Sequence, residues 1–506
     1  MKAPVFLLFH PILLLVPFMN IDKSKNFSEW YNEIIKEAGL CDLRYNIKGF
    51  IVIMPWAMKS INQIYDIYER ELQRRGHSPA FFPSLVPEKA FLAEKEHVEG
   101  FTPEVMWVTE AGNKKLEERY ALKPTGETSI YPMYALWVNG LSDLPVKIYQ
   151  RGWVWRYETK ATKPFVRGRE FLWIEAHDVF ATNPQARAQV VEDISIAKEA
   201  VWKTLGIPFI FFRRPQWDKF AGADDTFAAD TLMPDGKVLQ IATTHLLGQH
   251  FSRAYGIKYM NESNDAVHAW QTCYGPGISR IYAASVAVHG DNKGMVLPFC
   301  IAPVQAVIIP IMRKGGDGKV LEAAKTLLKN LSKAVRAEID LSDQTPGFKF
   351  NRWEQRGVPM RIEIGERDLA DESAILVTRD DGKKRSVKLS EIEIEIPKEG
   401  ARLDARLMEK SSKLFRDALD SARNEEEMAR KVDAGKMVEV PFCSEEKDGE
   451  GCAKAIKEKH SIDVRGTICS FFDSDEVTLE AKPPKAEKCV HCGKPAKARM
   501  YVSRQY

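Results

Sequence analysis

Apolar and polar positions alternate in two rhythms along the 506-residue chain. Between Pro55 and Arg75, the apolar residues Ile61, Ile64, Tyr65, Tyr68 and Leu72 recur at three- and four-residue spacing, which marks one helix face. Pro55 suits the first turn of this helix and Gly76 its stop. Similar patterns predict helices over 27–38, over 184–205 (opened by Asn183-Pro184, closed by Gly206) and over 278–288. The second rhythm has period two and predicts strands over 79–83, 146–158, 169–181 and 237–245. Within 169–181, Phe171, Trp173, Glu175 and His177 fall on one face, and Leu172, Ile174 and Ala176 on the core face. Residues 25–299 therefore read as one large antiparallel α+β domain.

The texture changes after Pro298. Val304–Ile311 is a run rich in β-branched residues, the mark of a strand buried on both faces. A helix over 321–338 and strands over 359–365 and 374–378 follow, so 300–396 reads as a small α/β domain. Pro397 and Gly400 read as a linker. A charged helix over 402–433 and a cysteine-rich end complete the segment 397–506.

Composition narrows the class. Hydrophobic residues at 44% and charged residues at 28% fit a globular chain and exclude disorder as its main state. Lys+Arg 73 against Asp+Glu 70 leaves a net charge of +3, too balanced for a chain coated in basic charge but compatible with a local nucleic-acid face. Residues 481–506 carry such a bias, with seven basic residues and one acid. Pro4–Phe18 is apolar, but it is shorter than a membrane span and is interrupted by Pro4, Pro11 and Pro17. Residues 1–24 accordingly read as an N-terminal extension, with an anchor or signal as the alternative.

Several residue groups carry candidate chemistry. Alternation places Arg156 and Glu158 on one face of the strand 146–158. A face holding Arg156, Glu158, Phe171, Trp173, Glu175 and His177 is costly to bury unless its groups pair. It is either a lined pocket or a solvated sheet face. Lys123-Pro-Thr-Gly-Glu127 is a turn whose Thr125 and Glu127 can point one way. Gln240, Thr243 and His245 lie on one strand, but Gln240 has the opposite parity, so a bend is needed if all three serve one site. Arg280 opens a helix after a Gly-Pro-Gly turn, which suits a phosphate. His289-Gly-Asp-Asn-Lys-Gly294 reads as an edge turn. Cys443, Cys452, Cys489 and Cys492 form pairs spaced C-x8-C and C-x2-C. They read as four thiolate ligands for a structural Zn²⁺ in a reducing compartment, against buried free thiols or an iron–sulfur cluster.

In order and spacing these motifs resemble the class II aminoacyl-tRNA synthetases, specifically the archaeal/eukaryotic-type prolyl-tRNA synthetases, from about residue 25 to the end. The unit 55–83 is similar to motif 1, the family's dimer element. Arg156-Tyr-Glu158 with Arg169–His177 is similar to motif 2, and Tyr274–Arg280 with His289–Gly294 to motif 3. Lys123–Glu127 resembles the proline-recognition loop R-P-T-S-E, with Lys for Arg and Gly for Ser.

The resemblance implies a class II antiparallel-sheet catalytic domain (25–299), an anticodon-binding α/β domain (300–396) and a small zinc-containing α+β domain (397–506). It implies ATP-dependent activation of L-proline and its transfer to tRNA(Pro). Arg156 and Arg280 would hold phosphates, with Mg²⁺ bridging them, although no dedicated carboxylate pair for Mg²⁺ is evident. Glu158, Phe171, Gln240 and Thr243 would complete the ATP site. Thr125, Glu127, Arg156, Trp173, Glu175, His177 and His245 would hold proline. Glu354, Arg361, Arg367 and Lys383 would read the anticodon. Arg504-Gln505-Tyr506 would fold back towards the substrates. The family context further implies a cytoplasmic homodimer with no membrane attachment. About 100 residues separate Trp173 from Cys273, too few for an inserted editing domain. Two alternatives remain: a synthetase-like tRNA-binding protein that does not aminoacylate, and a zinc-dependent RNA-binding module with a decayed enzyme domain.

Overall fold

The computed structural model describes residues 21–91, 105–312, 318–480, 484 and 486–506. Most of the expected N-terminal extension, residues 1–20, lies outside them. Ile21 packs on the main core and the Lys23 ammonium sits 4.9 Å from the Trp30 ring centre, so residues 21–24 belong with the catalytic domain.

Helices α1 (Phe27–Glu37) and α2 (Pro55–Arg74) form where the apolar spacing predicts them. The large sheet takes β1 (Ser78–Pro79), β2 (Val146–Trp155), β3 (Glu170–Phe180), β4 (Ile210–Arg213), β5 (Asp225–Leu232), β6 (Lys237–Gly248) and β7 (Trp270–Pro276) from the catalytic region. Between β1 and β2 lie a small three-stranded sheet (Leu85–Pro87, Met106–Ala111, Lys114–Leu122) and α3 (Glu127–Trp137). Helices α4 (Asn183–Ala197) and α5 (Ile278–His289) cover one face of the large sheet, and α2 packs outside them. The core between contains Leu172, Ile174, Ala176, Tyr274, Ile281 and Tyr282.

The anticodon-type region has a five-stranded sheet in the order β9-β8-β10-β11-β12. Its strands are β8 (Ala306–Pro310), β9 (Ala337–Ile339), β10 (Met360–Ile364), β11 (Ser373–Thr378) and β12 (Lys384–Lys388). Helices α6 (Gly318–Leu331) and α7 (Pro346–Gln355) flank it. Next come α8 (Ile392–Asp417), β13 (Leu419–Ser421), α9 (Glu425–Asp433), β14 (Met437–Phe442), α10 (Glu450–His460), β15 (Asp463–Phe471) and β16 (Ala498–Gln505).

The C-terminal strands do not form a separate sheet. One eleven-stranded sheet runs β13-β14-β16-β15-β4-β5-β6-β7-β3-β2-β1. The join is antiparallel, with Ile468 opposite Phe212 and Phe471 opposite Ile210. β16 also runs parallel to the start of β6, with Val238 opposite Gln505.

Five sequence expectations need correction. The linker at 397–400 lies inside α8. Pro397 removes one helix hydrogen bond, and a Cβ on Gly400 would meet the Phe299 ring at 2.5 Å, so glycine is there for a close approach and not as a hinge. The helix expected over 402–433 is interrupted by β13, whose pairing with β14 wins. Helix 321–338 stops at Leu331 because Ala337 pairs with Ala306. The strand 79–83 shrinks to Ser78–Pro79, since Pro79 and Pro83 have no N–H to donate. Strand 146–158 ends at Trp155, so Arg156 and Glu158 lie just beyond it.

Candidate active site

On the sheet face opposite α4 and α5 opens a cavity of about 860 Å³. Thr125, Glu127, Arg156, Glu158, Phe171, Trp173, Glu175, Gln240, Thr243, His245 and Arg280 all line it. They come from the turn before α3, the β2–β3 connection, β3, β6 and the first turn of α5.

One end is cationic. Arg156 Nε donates to Pro124 O at 3.1 Å, and its guanidinium lies 5.5 Å from the Phe171 ring centre. Arg280 donates to Val166 O at 3.0 Å and to Gln240 O at 3.1 Å. Burial, together with the charges of Arg156 and Arg167, pushes its pKa down to about 10, so it stays charged at neutral pH. Glu158 accepts from Lys160 N at 2.8 Å and faces Arg167 at 3.7 Å.

The bend expected at Gln240 is a β-bulge. Ala229 pairs with Ala242 and Asp230 with Gln240, leaving Ile241 as the extra residue. Gln240 and Thr243 thereby meet, with Nε2 donating to Oγ1 at 2.7 Å.

The other end is anionic and buried. Thr125 Oγ1 donates to Glu127 and, at 3.2 Å, to Glu175. Gly126 N also donates to Glu175, at 3.0 Å. A Cβ on residue 126 would lie 2.2 Å from Glu175 Oε2, so the glycine makes room for that carboxylate. Lys123 is tied to Phe82 O at 3.2 Å and Gln150 Oε1 at 3.1 Å.

His177 sits beneath the cavity wall, with Tyr131 OH 3.0 Å from Nδ1 and Glu175 3.7 Å from Nε2. Burial opposes its protonation, but Glu175 and the charge of Glu127 hold its pKa above the usual value. Burial pushes Glu175 up, and the His177 and Lys123 contacts outweigh it and hold Glu175 low. His245 Nδ1 lies 2.9 Å from Thr226 Oγ1 and its ring 4.5 Å from that of Phe220.

The remaining expected residues lie elsewhere. Arg361 is bound to Glu354 at 2.9 Å and Glu363 at 3.0 Å, beneath the Phe350 ring. Arg367 and Lys383 are exposed nearby. The sulfur atoms of Cys443, Cys452, Cys489 and Cys492 lie within 4.8 Å of one another, a four-thiol donor set that fits a closed tetrahedral Zn²⁺ site. The Cys443–Cys452 separation of 3.6 Å is well beyond a disulfide bond of about 2.05 Å. Gln505 lines the cavity, whereas Tyr506 packs by Lys163 and donates to Asp235 at 2.8 Å. The sequence reading missed Arg214, Arg465 and Cys273, which also line the cavity. None of them sits within a motif that would single it out.

Comparison with known proteins agrees along most of the chain. Residues 107–289 match the tRNA synthetase class II core domain (G, H, P, S and T), and 305–399 match an anticodon binding domain. Residues 425–506 match the prolyl-tRNA synthetase C-terminal domain. The proline--tRNA ligase of Thermofilum pendens is 46% identical over 96% of this chain and 99% of its own. That of Methanosarcina mazei is 41% identical over 95% and 97%. The Giardia lamblia prolyl-tRNA synthetase in complex with prolyl-adenylate superposes with a TM-score of 0.90 at 35% identity, covering 97% of this chain and 100% of that one. The Cryptosporidium parvum enzyme complexed with halofuginone and AMPPNP gives 0.89 at 31% identity, covering 97% and 98%. With these matches spanning catalytic core, anticodon domain and C-terminus, the chain belongs to the prolyl-tRNA synthetases, the proline--tRNA ligases of class II.

Proposed function

We propose that the cavity aligns proline and ATP for two transfers. In the first, a proline carboxylate oxygen attacks the α-phosphorus, the bond to the bridging oxygen breaks, and pyrophosphate leaves. In the second, a ribose hydroxyl of the terminal tRNA adenosine attacks the prolyl carbonyl, the carbonyl–phosphate C–O bond breaks, AMP leaves with the bonding electrons, and the hydroxyl proton passes to the departing phosphate. No protein nucleophile is required, so catalysis rests on alignment and charge neutralisation.

Arg156 grips the α-phosphate and Arg280 the γ-phosphate, each by its planar fork. Phe171 stacks on adenine, Glu158 accepts from the adenine amino group, and Gln240 with Thr243 completes the nucleotide site. Thr125 and Glu127 hold the proline ammonium. Trp173, Glu175, His177 and His245 shape and support the ring pocket. Mg²⁺ arriving with the nucleotide neutralises phosphate charge.

One observation carries this reading: a single cavity has arginines at one end and buried carboxylates at the other, complementary to a polyphosphate and an ammonium. The test is proline-dependent ATP–pyrophosphate exchange. Arg156→Ala should fold normally and lose on the order of 10²–10³ in rate. Near-normal exchange would refute the assignment, and no exchange in the wild type would favour the reading as a tRNA-binding relative.

Glu354, Arg361, Arg367 and Lys383 form the anticodon-reading surface, and arginine suits guanine readout. Exposed apolar residues on either side of α2, among them Val52, Phe81 and Leu85, support a homodimer through residues 55–83. Sedimentation of a Phe81→Glu variant tests it. The four cysteines hold a structural Zn²⁺. Eight cysteines with no disulfide among them support a reducing, cytoplasmic setting. No helix among the described residues is long and apolar enough to cross a membrane. Residues 181–269 are taken up by α4, β4–β6 and their connections, which supports a cavity without editing in cis.

A further inference from the structure

Two arginines that the mechanism leaves unused meet at the cavity wall. Arg465 belongs to β15 of the C-terminal domain and is 3% exposed. Its Nε and Nη2 fork onto Asp230 at 2.8 and 3.1 Å, across 235 residues of sequence. Arg214 donates to the same carboxylate at 2.8 Å, to Arg465 O at 2.6 Å and to Gln240 Oε1 at 3.0 Å. Gln240 in turn donates to Thr243 at 2.7 Å. Arg465 also bonds Gln505, which lines the cavity.

Two guanidiniums sharing one carboxylate are expensive to bury, and apolar replacements of such groups often match or exceed their stability. What the arrangement supplies is orientation. The oxygen of the Gln240 amide is engaged by Arg214, so its NH₂ must face Thr243 and the flipped amide is excluded. Backbone irregularities aim both ends of the chain of contacts. The β5–β6 bulge falls at Asp230 and Gln240. A second register shift between Val464 and Gly466 makes Arg465 itself the extra residue of β15.

We infer that Arg465 is a positioning residue for the nucleotide site: through Asp230 and Arg214 it fixes the Gln240 amide and the Thr243 hydroxyl, so the C-terminal domain sets the geometry in which ATP is held. This rests on the assignment of Gln240 and Thr243 to ATP, and the experiment separates the two claims.

Pyrophosphate-exchange kinetics are measured for the full-length Arg465→Lys, Gln240→Ala and double variants, together with their melting temperatures. Lysine keeps the charge and loses the fork. Arg465→Lys should raise KM for ATP on the order of tenfold, while KM for proline and kcat stay within about twofold. The double variant should be no worse than Gln240→Ala alone, because the effect passes through Gln240. A purely structural role would instead lower kcat and the melting temperature without selecting ATP. Unchanged KM for ATP in Gln240→Ala overturns the nucleotide assignment. A defect in Gln240→Ala with a wild-type KM in Arg465→Lys, or with additive effects in the double variant, overturns the relay. Should Arg465→Lys fail to fold, Arg214→Lys carries the same test, and a wild-type KM for ATP there overturns it equally.

Discussion

The anticodon-binding domain and the C-terminal domain meet the catalytic domain in different ways. The first keeps its own five-stranded sheet and, on one face, its own core of Ile308, Met360, Ile362 and Leu403. Side chains make most of its seam, and two backbone bonds cross it, from Met295 N to Gln355 O at 3.1 Å and from Leu297 N to Gly357 O at 3.3 Å. Val307, Ile309 and Trp353 pack on the catalytic core, Arg379 forks onto Asp291 at 2.7 Å, and Asp404 accepts from Phe299 N at 2.6 Å. The second domain is joined by backbone, its strands continuing the catalytic sheet through β15 and β4. A side-chain seam can loosen locally, residue by residue. A ladder seam is as cooperative as the sheet itself; groups from residues 465 and 505 reach the active-site cavity, and among the described residues none from 305–399 lines it.

The sharpest way to break this contrast is Gly466→Ala. Gly466 has φ +120, and a Cβ there would lie 2.0 Å from Arg213 O, on the strand it joins. The variant should lose about 3 kcal/mol or more of stability and lose pyrophosphate exchange with it. Wild-type melting and exchange would show that the ladder is dispensable. Next in size is Cys489→Ser with Cys492→Ser. Metal analysis should show the zinc lost, and exchange should fall about tenfold because the destabilised domain is part of the sheet. Full zinc content would refute the ligand set.

At the docked seam, Arg379→Ala should cost about 1–3 kcal/mol locally. Aminoacylation of tRNA should slow several-fold while exchange stays near normal, and an equal loss in both assays would erase the distinction between the seams. A separate handle is pH. Burial, and then the charge of Asp380, raises the Asp404 pKa from 3.8 to about 7. The folded state therefore holds a proton that the unfolded state has released between these values. This stabilisation is complete below about pH 4 and is lost as pH rises through 7. Asp404→Asn should flatten the melting temperature between pH 5 and 8, and an unchanged slope would place the titration elsewhere.

What the sequence disclosed follows the range of the forces involved. Period-two alternation correctly set Phe171, Trp173 and Glu175 on the cavity face, because neighbouring residues on a strand decide it. The parity conflict at Gln240 showed that a bend was required, and the bulge supplies it. Pro397 and Gly400 misled, since their usual punctuation was overridden by the contact with Phe299, about 100 residues away. Arg465 was silent because a lone arginine declares nothing about a carboxylate 235 positions distant, and Arg214, 16 positions from the same carboxylate, belongs to no motif. The turn His289–Gly294 read as an edge feature, yet its Asp291 binds Arg379 across the anticodon seam.

The shared sheet also bears on the order in which the protein is made. Strand β4, ending at Arg213, pairs with β5 on one edge, but its other edge finds its partner only when Thr467 has left the ribosome. At roughly 5–20 residues per second, a nascent chain presents that open edge for tens of seconds. Phe211 and Phe212, fully buried in the finished molecule, sit on it. Until then the edge is a template for pairing with other chains. Proteolysis of chains stalled before Asp463 should cut near residues 205–215, and completed chains should resist. Closure of the catalytic sheet at β4 therefore waits for β15, which emerges long after it.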